Sequence, residues 1–263
     1  MKRFPLSAML TSLSLDFETA CARVAELGFT HIDIVALADR PPEHCDALAD
    51  SGLLVACAGV GRDLPPAVGL DVAAVARRRE AVELVKRQIA DAARLGATRA
   101  YLVSGTDAGG DALARFAEAV SLLSTYASGR MVQLCVEPVP GRALSTAAAT
   151  LDWLETCGLD GVSLLLDVGH CLISGEDAAE VVRRAGRRLG HVHLDDNDGV
   201  SDLHLPLFAG RLSRDVLQRF LRALDEIGYD GALSLEFDRH LSDPVSALCE
   251  SKRAVEELMS AGG

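Results

Sequence analysis

Glu137, Asp167, His193 and Glu236 each close a short apolar run, in the segments VEP, LLLDVGH, HVHLDD and LSLEFD. A single carboxylate at the end of such a run is ordinarily a helix N-cap or half of an ion pair. Four successive runs carrying an acid or an imidazole at matching ends are harder to explain that way. Brought to one end of one fold, three carboxylates would raise one another's pKa unless a cation neutralised them. A divalent metal is the simplest solution. Two Glu, one Asp and one His make a mainly hard-oxygen set with one imidazole, which suits Mn²⁺, Mg²⁺ or Co²⁺ and can also hold Zn²⁺.

More residues of the same kind stand nearby. His170 follows Asp167 by three, and GHVHLDDND (190–198) puts His191 two before His193 and Asp195 two after it. His191 shares the side of the strand that carries His193 but lies deeper, and reads as a packed, hydrogen-bonded histidine rather than a ligand. Asp195 is placed to orient His193 or to meet a substrate hydroxyl.

These groups need a scaffold, and the chain supplies a repeated alternation of helix and strand. In DFETACARVAELGF, Phe17, Ala20, Cys21, Val24 and Leu27 fall at helical spacing behind an acidic first turn, and Gly28 ends the helix before THIDIVAL reads as a strand. The unit recurs along the chain. With PLSAMLTSL as the first strand, VSLLLDVGH as the sixth, ALSLEFDR as the last and DPVSALCESKRAVEELM as the closing helix, eight strands and eight helices are expected. Most strands are short apolar runs, as buried parallel strands are. No G-x-G-x-x-G follows the first strand, which removes the main sign of a dinucleotide fold. Eight such units point to an α/β fold of the closed (β/α)8 TIM-barrel type, with residues 1–263 as a single domain. In such barrels the reactive groups sit at the C-terminal strand ends, where all four residues of the first paragraph fall.

Composition narrows the partners. Apolar residues make up 49% of the chain and charged residues 24%, enough for a large core. A net charge of −12 opposes a phosphate backbone, so nucleic acid is disfavoured. No run of about 18 apolar residues would cross a membrane and no signal-peptide pattern opens the chain. Seven scattered cysteines without a CxxC pair read as free thiols of a cytoplasmic protein. Cys135 and Cys171 read as small barrel fillers. A homo-oligomer is left open.

At these residues the sequence resembles the xylose-isomerase-like TIM-barrel superfamily, which includes sugar-phosphate isomerases and epimerases, ketohexose 3-epimerases, inosose dehydratases and endonuclease IV. The resemblance runs through all eight units and is most specific from VEPVPG to SLEFDR. It implies one divalent metal, Mn²⁺ first and Mg²⁺, Co²⁺ or Zn²⁺ as alternatives, held by Glu137, Asp167, His193 and Glu236. It also implies that His170 of the Asp-x-x-His element, with Asp202 and His204 of an Asp-x-His element, either hydrogen-bonds the substrate and orders the loop or holds a second metal.

The chain departs from its relatives in places. Phe208 and Ala209 replace the first Gly and Glu of a Gly-Glu-Gly turn, and Gly199 stands where ketohexose 3-epimerases carry a substrate-binding Arg. A simple ketohexose 3-epimerase is therefore disfavoured. The third and fourth strands lack the histidines that complete the zinc cluster of endonuclease IV.

The implied activity is a metal-dependent isomerase or epimerase of a sugar or polyol, phosphorylated or not. Glu137 and Glu236, nearly across the barrel from each other, would exchange the proton beside a carbonyl by way of an enediolate. A keto-polyol dehydratase, of inosose or dehydroshikimate type, is the nearest alternative. An endonuclease IV-like phosphodiesterase ranks below it, and so does a non-catalytic binding protein.

Overall fold

The computed structural model describes residues 2–261. Eight parallel strands, β1 (Leu6–Met9), β2 (His31–Val35), β3 (Leu54–Gly59), β4 (Arg99–Val103), β5 (Gln133–Glu137), β6 (Val162–Asp167), β7 (Leu189–Leu194) and β8 (Leu233–Leu235), pair in chain order. β8 pairs back onto β1, with Leu6 opposite Leu233, so the sheet closes into a (β/α)8 barrel. Around it run α1 (Phe17–Glu26), α2 (Pro42–Ser51), α3 (Val75–Arg94), α4 (Gly110–Ser128), α5 (Ala147–Thr156), α6 (Val168–Ser174), α7 (Ala178–Ala185), α8 (Arg214–Glu226) and α9 (Pro244–Ala261). No helix among the described residues is long and apolar enough to cross a membrane, and all seven cysteines are free thiols.

Local signals set the element ends. Asp16 caps α1 by accepting from the Thr19 amide at 2.9 Å, Ala20, Cys21 and Val24 turn inward, and the chain leaves at Gly28 with φ +73°. One large apolar cluster fills the layer between sheet and helices. A separate small one, Met9, Cys57, Tyr101, Cys135 and Leu165, plugs the barrel interior. Burial pushes the Cys135 thiol up to about 12, so it stays neutral there.

Three element boundaries differ from the sequence-based expectation. The first strand stops at Met9, because its ladders to β2 and β8 end at Met9 and Ala8, and residues Leu10–Leu13 form a 3-10 turn. There are nine α-helices rather than eight among the described residues. The ninth is α6: Asp167 accepts from the His170 amide at 2.9 Å and starts a helix where a strand was expected to run on to His170. β8 is three residues long, which leaves Glu236 just past the ladder.

The β6–β7 ladder carries a bulge that matters for the site. Leu164 pairs with Leu189 but Leu165 pairs with His191, which leaves Gly190 as the extra residue. A Cβ on Gly190 would lie 2.5 Å from Cys135 Sγ and 2.8 Å from Ser163 Cβ, so only glycine fits this bulge.

Candidate metal centre

The last four strands deliver one ligand-type side chain each to the C-terminal mouth. Glu137 ends β5, Asp167 ends β6, His193 is next to last in β7, and Glu236 follows β8. Asp167 and His193 are paired across the β6–β7 ladder. His193 Nδ1 lies 2.6 Å from Glu236 Oε2 and 3.6 Å from Glu137 Oε1. One ligand atom from each of the four residues comes within 4.8 Å of all the others. Asp167 Oδ2 and His193 Nδ1 are buried and lack a partner in hydrogen-bonding geometry. Orphaned buried acceptors amid carboxylates are what a shared cation would satisfy. The donor set and its geometry fit a divalent ion.

A second group adjoins the first. Asp202 Oδ1 lies 3.3 Å from His170 Nε2 and 3.3 Å from His204 Nε2, while His204 Nδ1 lies 2.6 Å from Asp195 Oδ2. His204 has φ +43°, an uncommon backbone for a residue with a Cβ. Asp195, His170, Asp202 and His204 thus form one connected cluster beside the four. Asp195 comes in close because residue 169 is glycine: a Cβ there would collide with its carboxylate.

The acidic run after β7 divides by role. All three of Asp195, Asp196 and Asn197 are wholly buried, but Asp195 faces the site whereas Asp196 and Asn197 hold the loop together. Asp196 accepts from the amides of Gly210 (2.6 Å) and Leu212 (2.8 Å), and Asn197 Oδ1 accepts from those of Leu203 (2.5 Å) and His204 (3.1 Å). Asp198 caps the turn at Val200 and Ser201.

Residues 21–260 match the family model described as xylose isomerase-like TIM barrel. The chain belongs to that family. It is 27% identical over 244 residues to D-psicose 3-epimerase of Agrobacterium fabrum, covering 85% of this chain and 80% of the relative. It is 31% identical over 121 residues to inosose dehydratase of Lacticaseibacillus casei, covering 41% and 40%. Among solved structures, L-ribulose 3-epimerase superposes with a TM-score of 0.81 at 21% identity, over 99% of this chain and 97% of that one.

In this xylose isomerase-like barrel a further residue, missed in the sequence, supports the cluster from below. Asp33 of β2 is wholly buried; its Oδ2 lies 2.6 Å from His191 Nε2 and 3.2 Å from His193 Nε2, and its Oδ1 accepts from Ser7 Oγ at 2.8 Å. It holds the ring face of His193 opposite to Nδ1, the usual outer partner of a ligating histidine. His191 is wholly buried and hydrogen-bonded to Asp33, and with Asp33 and His193 it also makes a group whose ligand atoms lie within 4.8 Å of one another. The signal for Asp33 was a lone acid inside the apolar run HIDIV.

The electrostatics follow from this crowding. Burial alone would neutralise His193, yet Glu236, Asp33 and Glu137 hold its imidazole well above the ordinary range. Burial likewise opposes the Glu236 charge, but the His193 cation brings its carboxyl down to about 2. Against the burial penalty, Asp167, Asp202 and Glu137 raise His170 to about 10, and Asp195 and Asp202 raise His204 to about 12. Burial, then the charge on Asp167, pushes Asp195 well above the usual carboxylate range. His191, deeper and with no second acid beside it, is kept below its ordinary value by burial. The mouth carries surplus negative charge, which its histidines answer by protonating.

Proposed function

We propose that this protein is a divalent-metal-dependent isomerase or epimerase of a small sugar or polyol, acting as a single domain in the cytoplasm. The observation that carries the reading is the pair of carboxylates from β5 and β8, Glu137 and Glu236, which flank one imidazole at 3.6 and 2.6 Å. The named activities of the relatives, sugar epimerases above all, support the isomerase/epimerase class.

Glu137, Asp167, His193 and Glu236 would hold the ion, with Mn²⁺ the first candidate. Once bound, such an ion supplies a Lewis acid that stabilises negative charge developing beside a carbonyl. The chain's own groups do the rest. Glu236, ionised at neutral pH, is ready to accept a carbon-bound proton, and Glu137 approaches from another strand to return one to the opposite face. His170, Asp195, Asp202 and His204 line up beside them to hydrogen-bond substrate hydroxyls. A second ion on His170, Asp202 and His204, whose ligand atoms also lie within 4.8 Å of one another, is the alternative use of that group.

A dehydratase is the second reading, favoured by the match to inosose dehydratase. It requires a leaving hydroxyl β to the carbon that loses its proton. The test is incubation with aldoses, ketoses and inososes in D₂O, followed by NMR and mass. Epimerisation with deuterium beside the carbonyl is expected, and Glu137→Gln and Glu236→Gln should each lower turnover by about 10²-fold or more. Product lighter by one water identifies the dehydratase. Unlabelled product of unchanged mass would remove both glutamates from the base roles.

A further inference from the structure

Two arginines that neither the metal set nor the base pair uses face the same cavity. Arg62 and Arg142 line a pocket of about 180 Å³ with Glu137, His170, His204 and Glu236. They enter by the loops after β3 and β5, whereas His170, Asp202 and His204 enter by those after β6 and β7. The pocket therefore has a cationic wall from one arc of the barrel and a hydroxyl-binding wall from the other.

Neither guanidinium is occupied by an acid. Among the described residues, no carboxylate lies within 4.0 Å of either one, although the mouth is crowded with them. Among the described residues, the one side-chain hydrogen bond of Arg62 goes from Nη2 to the neutral Tyr101 hydroxyl at 3.0 Å, and Arg142 has none. A guanidinium carries five N–H donors, so nearly all remain free for a ligand.

The loops that carry both are also held in place. Gln88 of α3 grips the Arg62 segment, accepting from the Gly61 amide at 2.7 Å and donating to the Arg62 carbonyl at 3.1 Å. Tyr101, which anchors the guanidinium, is buried and packs edge-on against His193 with ring centroids 5.2 Å apart. Arg142 sits in a loop pinned by Val139 to Leu144 at 3.1 Å and by Ala143 to Gly105 at 2.8 Å. Arg62, tethered through the Tyr101 hydroxyl, and Arg142, exposed on a pinned loop, match the planar, bidentate recognition of phosphate or carboxylate.

We propose that the substrate is anionic: a small ketose or keto-polyol carrying a phosphate ester or a carboxylate, whose charged end is held by Arg62 and Arg142 while its carbonyl end faces Glu137 and Glu236. This rests on the isomerase reading above and names its substrate class. A net charge of −12 would otherwise repel such a ligand, and the two arginines offset that locally. The cavity is smaller than the roughly 300–1,000 Å³ of pockets for drug-sized ligands, in keeping with a short sugar.

The test reads binding directly, by calorimetry on the Mn²⁺-loaded protein. Ribulose is compared with ribulose 5-phosphate, and fructose with 5-ketogluconate. We expect one anionic ligand to bind at least about 10-fold more tightly than its neutral counterpart, the scale of a charged hydrogen-bonded contact. A gain in the first pair identifies a phosphate and in the second a carboxylate. Arg62→Met and Arg142→Met should each bring that ratio down toward unity, and Arg62→Lys should recover part of it. Unchanged thermal melts show that the variants fold. Ratios near one in both pairs, or a ratio that survives both Met variants, overturn the proposal. Arginine-dependent binding without isotope exchange in any ketose would sink the isomerase reading alone.

Discussion

Replacing Asp33 with Asn changes one buried charge and almost no volume. Asp33 can only accept, so it requires N–H at His191 Nε2 (2.6 Å) and His193 Nε2 (3.2 Å), which leaves Nδ1, between Glu137 and Glu236, as the nitrogen of His193 that would give up its proton to a metal. An amide nitrogen in the place of Oδ2 would meet two ring N–H groups, and His193 would turn or change tautomer. Loss of such an outer partner typically lowers metal affinity 10- to 100-fold, or about 1.4–2.7 kcal/mol. Stability of the metal-free protein should fall as well, by up to about 3–5 kcal/mol, because the buried His193 cation loses one of its acidic partners. Burial alone would raise the pKa of Asp33, but His191 and His193 hold it below its ordinary 3.8. Its contribution is therefore present above pH 3.8 and is lost as pH falls toward the depressed native value. Calorimetric Mn²⁺ titration at pH 7 and denaturant unfolding of the metal-free proteins down to pH 3 would read both effects. Unchanged metal affinity, or a stability gap that persists undiminished at pH 3, would refute the positioning role.

Three further outcomes follow from the same geometry. Purified protein should carry about one divalent ion per chain, His193→Ala should lose affinity by about 10-fold or more, and full retention in an Asp167→Asn/His193→Ala double variant would refute the ligand set. Because His170 and His204 are raised from 6.5 to about 10 and about 12, their stabilisation of the metal-free protein is complete below pH 6.5 and lost as pH rises through those values. Its melting temperature should drop between pH 7 and 11, and a flat profile would count against the charged cluster. Gly190→Ala should cost about 1–3 kcal/mol by overpacking the bulge, read by denaturant unfolding, and an unchanged midpoint would contradict the bulge geometry.

The sequence alone determined the barrel and the four mouth residues, because both rest on short-range pattern. Apolar runs alternating with Gly-ended amphipathic helices specify parallel βα units, and an acid or imidazole closing such a run stands out against it. Gly28 and the acidic first turn marked α1 in the sequence, as Gly28 and the Asp16 cap do in space. What the sequence left open depended on partners distant in the chain. Asp33 resembled any strand acid until closure of the barrel brought His191 to within 2.6 Å of it across 158 residues. Asp195, Asp196 and Asp198 are the same residue type within four positions, yet one faces the site, one ties the loop and one caps a turn. Arg62 and Arg142 were ordinary surface charges until two separate loops set them on one cavity. The Gly190 bulge, invisible to a period-two reading, fixes which residues of β7 pair with β6 and so how His193 stands opposite Asp167. Local pattern encodes which face of an element is buried, but which charges meet is set by closure, register and loop path, and only the tertiary structure decides those.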